Sequence, residues 1–352
     1  MRHVILAALS AAAVTVSGSW AQESPDWAIV IHGGAGVIER GAMTPQREAE
    51  YRAAMLAATE RGAQVLEAGG SALDAIEASI RGLEDDPLFN AGRGAVFTAA
   101  GTNELDASIM DGSNLNAGAI AGVTEIRHPI TLARSVMEES RHVMLQGEGA
   151  ETFAREQGLE TVDPAFFFTE RRWASLERQL GALGLDMPAR PDGAPEPEGV
   201  DHGELDRDAR EHRFGTVGVV ALDRDGNIAA GTSTGGTTAK RWGRVGDSPI
   251  LGAGTYASNQ SCGVSATGTG EYFIRLTVAS RICAYVEFQG LSLQEAADRV
   301  IQDELTALEG DGGIVALAPD GQIAWSFNTP GMYRARQSAG SAPVVAIYGD
   351  ED

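Results

Sequence analysis

At Thr216 the chain changes character abruptly. Upstream, residues 185–213 are polar, with Pro188, Pro191, Pro195 and Pro197 set among acidic side chains. Downstream, Val217-Gly218-Val219-Val220-Ala221-Leu222 is apolar at nearly every position. That is the pattern of a strand buried on both faces. Asp223-Arg224-Asp225-Gly226-Asn227 reads as a turn, because Asp-Gly between apolar runs signals a hairpin. Ile228 to Thr234 returns as the partner strand and ends in Gly235-Gly236.

Loop length decides which residues share a face. A three-residue loop with Gly226 left-handed pairs Asp223 with Asn227. Thr216 then faces Thr234, with Cβ atoms about 4.5–5.5 Å apart. A two-residue loop sends the two hydroxyls to opposite faces. Both are compatible with the residues, and two β-branched residues in a strand need no function at all. What favours a functional reading is a polar linker joined directly to the residue where the core begins. Were the Gly215–Thr216 bond cut, Thr216 would carry a hydroxyl and a free α-amine with a pKa of about 7.7–8. Such an amine can serve as general base for its own hydroxyl. Gly215 suits the scissile position because it adopts backbone angles that other residues avoid.

The formal net charge is −22, which disfavours nucleic acid and anionic membranes as partners. The six histidines form no H-E-x-x-H or similar cluster, which argues against a zinc hydrolase. Met1 to Ala21 resembles a secretory signal: a basic start, an apolar run from Val4 to Val16, and a small residue before Gln22. The expectation is an exported, periplasmic mature chain. Cys262 and Cys283 are the only cysteines; an oxidising compartment permits a disulfide between them, and two buried free thiols are equally compatible.

Trp27 to Ile31 reads as a first strand, with His32-Gly33-Gly34-Ala35-Gly36 as a tight turn after it. Glu39 stands where a dinucleotide loop needs its third glycine. His32 reads as a hydrogen-bonded structural residue. Helices are expected over Pro45 to Glu67, stopped by Gly69-Gly70, and from a Ser71 cap through Leu83, with Asp74 closing a capping box. Val96-Phe97-Thr98, Leu105 to Asp111 and Ala117 to Val123 read as strands, and Pro129 to Glu139 and Glu148 to Gln157 as helices. Residues 185–213 are expected to be mobile. Arg244 and Asp247 are either a surface ion pair or a clamp, guanidinium for a carboxylate and carboxylate for an ammonium. Thr267-Gly268-Thr269-Gly270-Glu271 ends a strand and opens a helix from about Tyr272 to Glu287, a turn whose N–H groups suit an oxyanion. A hairpin around Asp320-Gly321 and a strand over Ala342 to Tyr348 close the chain.

Seven runs, in order, resemble the plant-type asparaginases, also known as isoaspartyl peptidases, which are N-terminal-nucleophile hydrolases. They are His32-Gly33-Gly34-Ala35-Gly36, Pro87-Leu88-Phe89-Asn90-Ala91-Gly92, Glu104-Leu105-Asp106-Ala107, Gly215-Thr216-Val217-Gly218, Thr232-Ser233-Thr234-Gly235-Gly236, Gly243-Arg244-Val245-Gly246-Asp247-Ser248-Pro249 and Thr267-Gly268-Thr269-Gly270-Glu271. The resemblance implies an α+β fold, the αββα four-layer sandwich of Ntn hydrolases. It implies self-cleavage into an α subunit (22–215) and a β subunit (216–352), assembled as a dimer of αβ heterodimers. Thr216 would be the nucleophile, Thr234 its tuning partner, and Thr267 with Gly268 the oxyanion hole. Arg244 would bind the substrate carboxylate, Asp247 and the Gly270 backbone its amine, and Asn90 would neighbour the nucleophile. No catalytic cofactor is implied; a structural sodium ion would be held by backbone carbonyls of Leu83, Glu84, Asp86, Phe89, Ala91 and Arg93. Substrates would be asparagine and isoaspartyl dipeptides. Glycosylasparaginase is the nearest enzymatic alternative, but it has Asp before its Thr and Asn where Gly235 stands. A non-catalytic exported amino-acid-binding protein is the alternative of a different class.

Overall fold

A computed structural model describes residues 25–36, 38–41, 43–195 and 215–351. The signal-like segment 1–21 and residues 196–213 of the linker lie outside the described residues. The large sheet runs β12-β11-β1-β5-β6-β2-β3-β4. Its strands are β1 (Ala28–Gly36), β2 (Leu105–Asp111), β3 (Ala117–Val123), β4 (Met144–Gln146), β5 (Val217–Leu222), β6 (Ile228–Thr234), β11 (Gly331–Ser338) and β12 (Val344–Tyr348). The small sheet runs β10-β9-β8-β7, from β7 (Thr255–Ala257), β8 (Gly263–Gly268), β9 (Gly312–Leu317) and β10 (Ile323–Phe327).

Period-two alternation builds the layers, because both faces of the central strands are apolar. Ile29 and Ile31 of β1 and Val217 and Val219 of β5 pack under α1 (Pro45–Glu67), α2 (Ala72–Glu84) and α3 (Pro129–Glu139). Ala28, Val30, Val220 and Leu222, one residue out of phase, meet Val315 and Leu317 of the small sheet. The outer face of the small sheet, with Val264, Ala266 and Ile314, is covered by α6 (Gly270–Leu276), α7 (Val278–Gln289) and α8 (Leu293–Asp298). The result is helix, sheet, sheet, helix: the expected αββα sandwich. Cys262 and Cys283 are joined by a disulfide, tying the start of β8 to α7, so the free-thiol alternative falls. Among the described residues, no helix is long and apolar enough to cross a membrane.

Several expectations need correction. The glycine run His32–Gly36 is not a turn: β1 continues through it, paired to β11 with a bulge between His32 and Gly34. Val96–Thr98 is no strand, because side chains take its backbone groups: the Val96 N–H donates to Asn90 Oδ1 (2.9 Å) and its carbonyl accepts from Asn103 Nδ2 (3.1 Å). The helix after Thr267 is two helices broken at Thr277, whose φ is 52°. There the N–H groups of Ala279 and Ser280 turn to the carbonyls of Ala253 and Gly252. The linker is anchored over its described part. Leu185, Met187 and Ala194 pack on the Phe97–Phe168–Trp173 cluster, and Arg190 pairs with Glu170. Helix α5 (Glu170–Leu183), which completes that cluster, had no sequence expectation.

Candidate active site

The β5–β6 hairpin closes with the three-residue loop. The Asp223 N–H donates to the Asn227 carbonyl at 3.0 Å, and Gly226 is left-handed at φ 79°. Pairing of Val217 with Ser233 and of Leu222 with Ile228 puts Thr216 opposite Thr234. Their hydroxyls are 3.0 Å apart, and both residues are buried.

The Gly215 carbonyl is the focus of the site. It lies 2.8 Å from Thr216 Oγ1, 3.1 Å from Thr234 Oγ1 and 2.8 Å from Asn90 Nδ2. Asn90 also donates from Nδ2 to the Gly236 carbonyl (2.7 Å) and accepts the Val96 N–H at Oδ1. Both amide hydrogens are therefore used, and the orientation of the amide is assigned by its partners. Backbone approaches from β1 as well. A Cβ on Gly34, at φ 114°, would stand 3.1 Å from the Gly215 Cα and 3.4 Å from the Thr216 nitrogen.

Gly215, Thr216, Thr234, Gly236, Arg244, Asp247, Ser248 and Gly268 line one narrow cleft. Arg244 and Asp247 do not pair with each other. The Arg244 guanidinium is gripped at two points by Glu271, Nε to Oε1 at 2.9 Å and Nη2 to Oε2 at 3.0 Å. That hydrogen bond holds the Glu271 carboxyl below its usual range. Asp247 is buried with Oδ2 lacking a protein partner. Burial raises its pKa to about 7, and the nearby Arg244 charge offsets only part of that shift. Gly270 opens α6 against this carboxylate: a Cβ there would be 2.7 Å from Asp247 Oδ1. Thr267 is fully buried one residue before Gly268, and its hydroxyl accepts the Ala35 N–H at 3.4 Å.

Five side chains that support the site had no role expected of them, Glu84 having been named only for its backbone carbonyl. Asp106 pairs with Thr234 across β2–β6 and is buried, with Oδ1 accepting the Gly122 N–H and Oδ2 unpartnered; burial raises its pKa, and Lys240 and Arg244 oppose the shift. Lys240 is buried and donates to the Glu104 carbonyl at 2.9 Å. The Glu84 carboxyl at the end of α2 accepts from Ser233 Oγ (2.7 Å) and the Ile130 N–H (3.0 Å), and burial pushes its pKa up. Arg171 and Arg172 of α5 clasp the Asn90 loop, donating to the carbonyls of Pro87, Leu88 and Gly94. In the sequence these are single polar residues far apart, and no local period links them.

The 83–93 loop is the candidate cation cradle. Among the described residues, no group of three or more His, Cys, Asp or Glu side chains could hold a metal. The backbone passes close to two of these carbonyls: a Cβ on Gly92 would lie 2.3 Å from the Glu84 carbonyl, and one on Gly94 would lie 1.9 Å from that of Phe89. The carbonyls of Asp86 and Ala91 each accept one N–H and keep a second lone pair, whereas that of Leu83 accepts from both Asp85 and Asp86. The Arg93 guanidinium stacks 5.6 Å from Phe166, leaving only its carbonyl for the loop. This oxygen-only set fits a hard cation.

A family model described as Asparaginase matches residues 25–347. The chain is 51% identical over 320 residues to the "Isoaspartyl peptidase" of Escherichia coli, covering 91% of this chain and 95% of that protein. It is 41% identical over 339 residues to the "Probable isoaspartyl peptidase/L-asparaginase 2" of Arabidopsis thaliana, covering 92% and 99% respectively. A "Plant-type L-asparaginase" of Pyrococcus abyssi is 41% identical over 318 residues, covering 89% and 97%.

Proposed function

The chain belongs to the asparaginase family, and on that premise we propose that it is a threonine-nucleophile amidohydrolase of isoaspartyl dipeptides and asparagine. The observation that carries this reading is the Gly215 carbonyl, set against the Thr216 hydroxyl and ringed by the donors of Asn90 and Thr234. A carbonyl so placed is poised for attack, with donors where negative charge would develop. Thr216 Oγ attacks the Gly215 carbonyl carbon and the peptide nitrogen leaves as the Thr216 α-amine, giving an ester. Water hydrolyses that ester, which frees the Gly215 carboxylate and restores the hydroxyl. The products are an α subunit ending at Gly215 and a β subunit beginning at Thr216.

In the second reaction the free amine takes the proton of the Thr216 hydroxyl. Thr216 Oγ then attacks the β-carbonyl of the substrate. Gly268 N–H and Thr267 Oγ1 stabilise the oxyanion, ammonia or an amino acid leaves with a proton, and water releases aspartate from the β-aspartyl ester. The substrate carboxylate displaces Glu271 from Arg244, since a guanidinium favours one planar two-point partner. The substrate ammonium pairs with Asp247 Oδ2, a buried acceptor in need of a cation, beside the Gly270 backbone. Two αβ units assemble as a dimer after export and removal of residues 1–21. Sodium would sit among the carbonyls of Leu83, Glu84, Asp86, Phe89, Ala91 and Arg93, stiffening the loop that presents Asn90.

A denaturing gel and intact mass tests the reading. Two fragments meeting at Gly215–Thr216, absent in Thr216→Ala, accompany hydrolysis of an isoaspartyl dipeptide. Active material that is unbroken there rules it out, and an uncut chain that binds the substrate without hydrolysing it leaves an amino-acid-binding protein as the better account.

A further inference from the structure

One polar line of side chains crosses the seam between the two sheets, among largely apolar neighbours. His32 of β1 lies 2.9 Å (Nε2 to Oγ) from Ser265 of β8. Ser265 is 2.7 Å from Thr232 of β6, and Thr232 is 2.6 Å from Thr255 of β7. Thr255 is 2.8 Å from Ser108 of β2, which lies 2.6 Å from the Ser248 carbonyl. The line changes sheet at each side-chain bond, and all five residues are 0% exposed. Both ends lie at the cleft. His32 Nδ1 is 3.1 Å from the Thr216 carbonyl, and Ser248 follows Asp247 in the cleft wall. The line also explains Gly218, because a Cβ there would lie 1.8 Å from Ser265 Oγ and 2.3 Å from His32 Nε2.

Proton bookkeeping gives the line one direction. The Thr216 carbonyl can only accept, so His32 Nδ1 carries the hydrogen. A neutral ring then accepts at Nε2, so Ser265 donates to it. Burial holds the His32 pKa down at about 3, which keeps the ring neutral. Thr232 accepts from Thr255 and donates to Ser265 at 2.7 Å, the shorter of its two contacts, the other being the Gly254 carbonyl at 3.3 Å. The Ser108 proton serves either Thr255 or the Ser248 carbonyl. Apolar residues fill the neighbouring seam and stabilise it without this requirement. A buried polar chain is satisfied only when the strands that carry it hold these distances.

We propose that His32, Ser265, Thr232, Thr255 and Ser108 are positioning residues that set the distance between Thr216 and the Asp247–Ser248 wall across the sheet seam. This rests on the reading of Thr216 as nucleophile and of Asp247 as the ammonium ligand. The line touches no reacting atom; it acts through the two backbone carbonyls at its ends. Cutting it near His32 therefore misplaces the nucleophile, and cutting it at Ser108 loosens the clamp.

The test is steady-state hydrolysis of an isoaspartyl dipeptide by processed enzyme, with the thermal midpoint of each variant measured alongside. Thr232→Val keeps the side-chain shape and removes the hydroxyl; its kcat is expected to fall about 10- to 100-fold, the scale of an ångström-sized misplacement. Thr232→Ser returns the hydroxyl and should return most of kcat. Ser108→Ala should raise KM with kcat changed less than about threefold, since the clamp binds ground and transition states alike. Should Thr232→Val not fold, Ser265→Ala and Ser108→Ala supply the same contrast. Wild-type kcat in Thr232→Val overturns the proposal. So does Thr232→Ser as slow as Thr232→Val, or a Ser108→Ala whose loss is in kcat alone. A wild-type protein that stays uncut or inactive overturns the functional reading instead.

Discussion

Asn90→Ala is the most exacting perturbation of the proposed self-cleavage. In the attack on Gly215 the Thr216 hydroxyl becomes the nucleophile and stops being a donor. The developing oxyanion is then left with Asn90 Nδ2 at 2.8 Å and Thr234 Oγ1 at 3.1 Å. Removing one of two donors costs about 2.7–4 kcal/mol of transition-state stabilisation, or about 10²–10³ in rate. The same change strands the Gly236 carbonyl and the Val96 N–H, about 1–3 kcal/mol each in stability if both stay dry. Rate and stability must therefore be read separately. Pulse-labelled chain followed on denaturing gels gives the cleavage half-time. Denaturant unfolding of Asn90→Ala in the uncut Thr216→Ala background shows whether the fold survives. A folded Asn90→Ala chain that cleaves within about threefold of wild type would refute the assignment of Gly215 as the attacked carbonyl and Asn90 as its donor.

Gly218→Ala should destabilise the uncut Thr216→Ala chain by about 2–5 kcal/mol, summing overpacking of a central strand and loss of the buried His32–Ser265 bond; Gly149→Ala in α4 (Gly147–Glu156), where a Cβ meets nothing within 4 Å, should stabilise it by about 0.5–1 kcal/mol, and urea midpoints moving the same way in both variants would contradict the packing account. The pH dependence of KM should isolate Asp247: its carboxyl, raised to about 7 by burial, must be ionised to take the ammonium, so KM rises up to tenfold per unit as pH falls below 7 in free enzyme. The Thr216 amine acts on kcat and kcat/KM together and cancels from KM, so a KM flat from pH 5.5 to 8 removes the Asp247 assignment. The Cys262–Cys283 bridge spans a sequence separation of 21, for which loop-closure entropy gives about 3 kcal/mol; Cys262→Ala/Cys283→Ala with an unchanged guanidinium midpoint would contradict that estimate.

Local chemistry made much of the architecture legible in advance. Ser71 and Asp74 form the expected capping box, and β2, β3, α1 and α3 have the bounds their periods imply. The turn at Gly226 was legible too, but its three-residue length, which puts Thr216 opposite Thr234, was one of two compatible outcomes until the structure decided it. Where expectation and structure part, a distant group had claimed the backbone or the side chain. Val96 looks like a strand residue until Asn90 and Asn103 take its amide and carbonyl. Helix α5 buries Arg172 beside Trp173, Leu176 and Leu180, so its inward stripe is partly charged and reads as surface. Likewise β11 is a buried strand that contains Arg334.

Residues close in the chain thus carried most of the strands and helices and the conspicuous Thr216, because turn chemistry and hydrophobic period act over a few positions; the layering was implied by the family resemblance. The meaning of Ser108, Thr232, Thr255, Ser265 and His32 lay beyond that range. Each is an ordinary small or polar strand residue on its own, and they form one line only because five strands from two sheets converge. Burial does the same for Asp247: its shifted proton affinity arises from the protein around it, a quantity no run of neighbouring residues encodes.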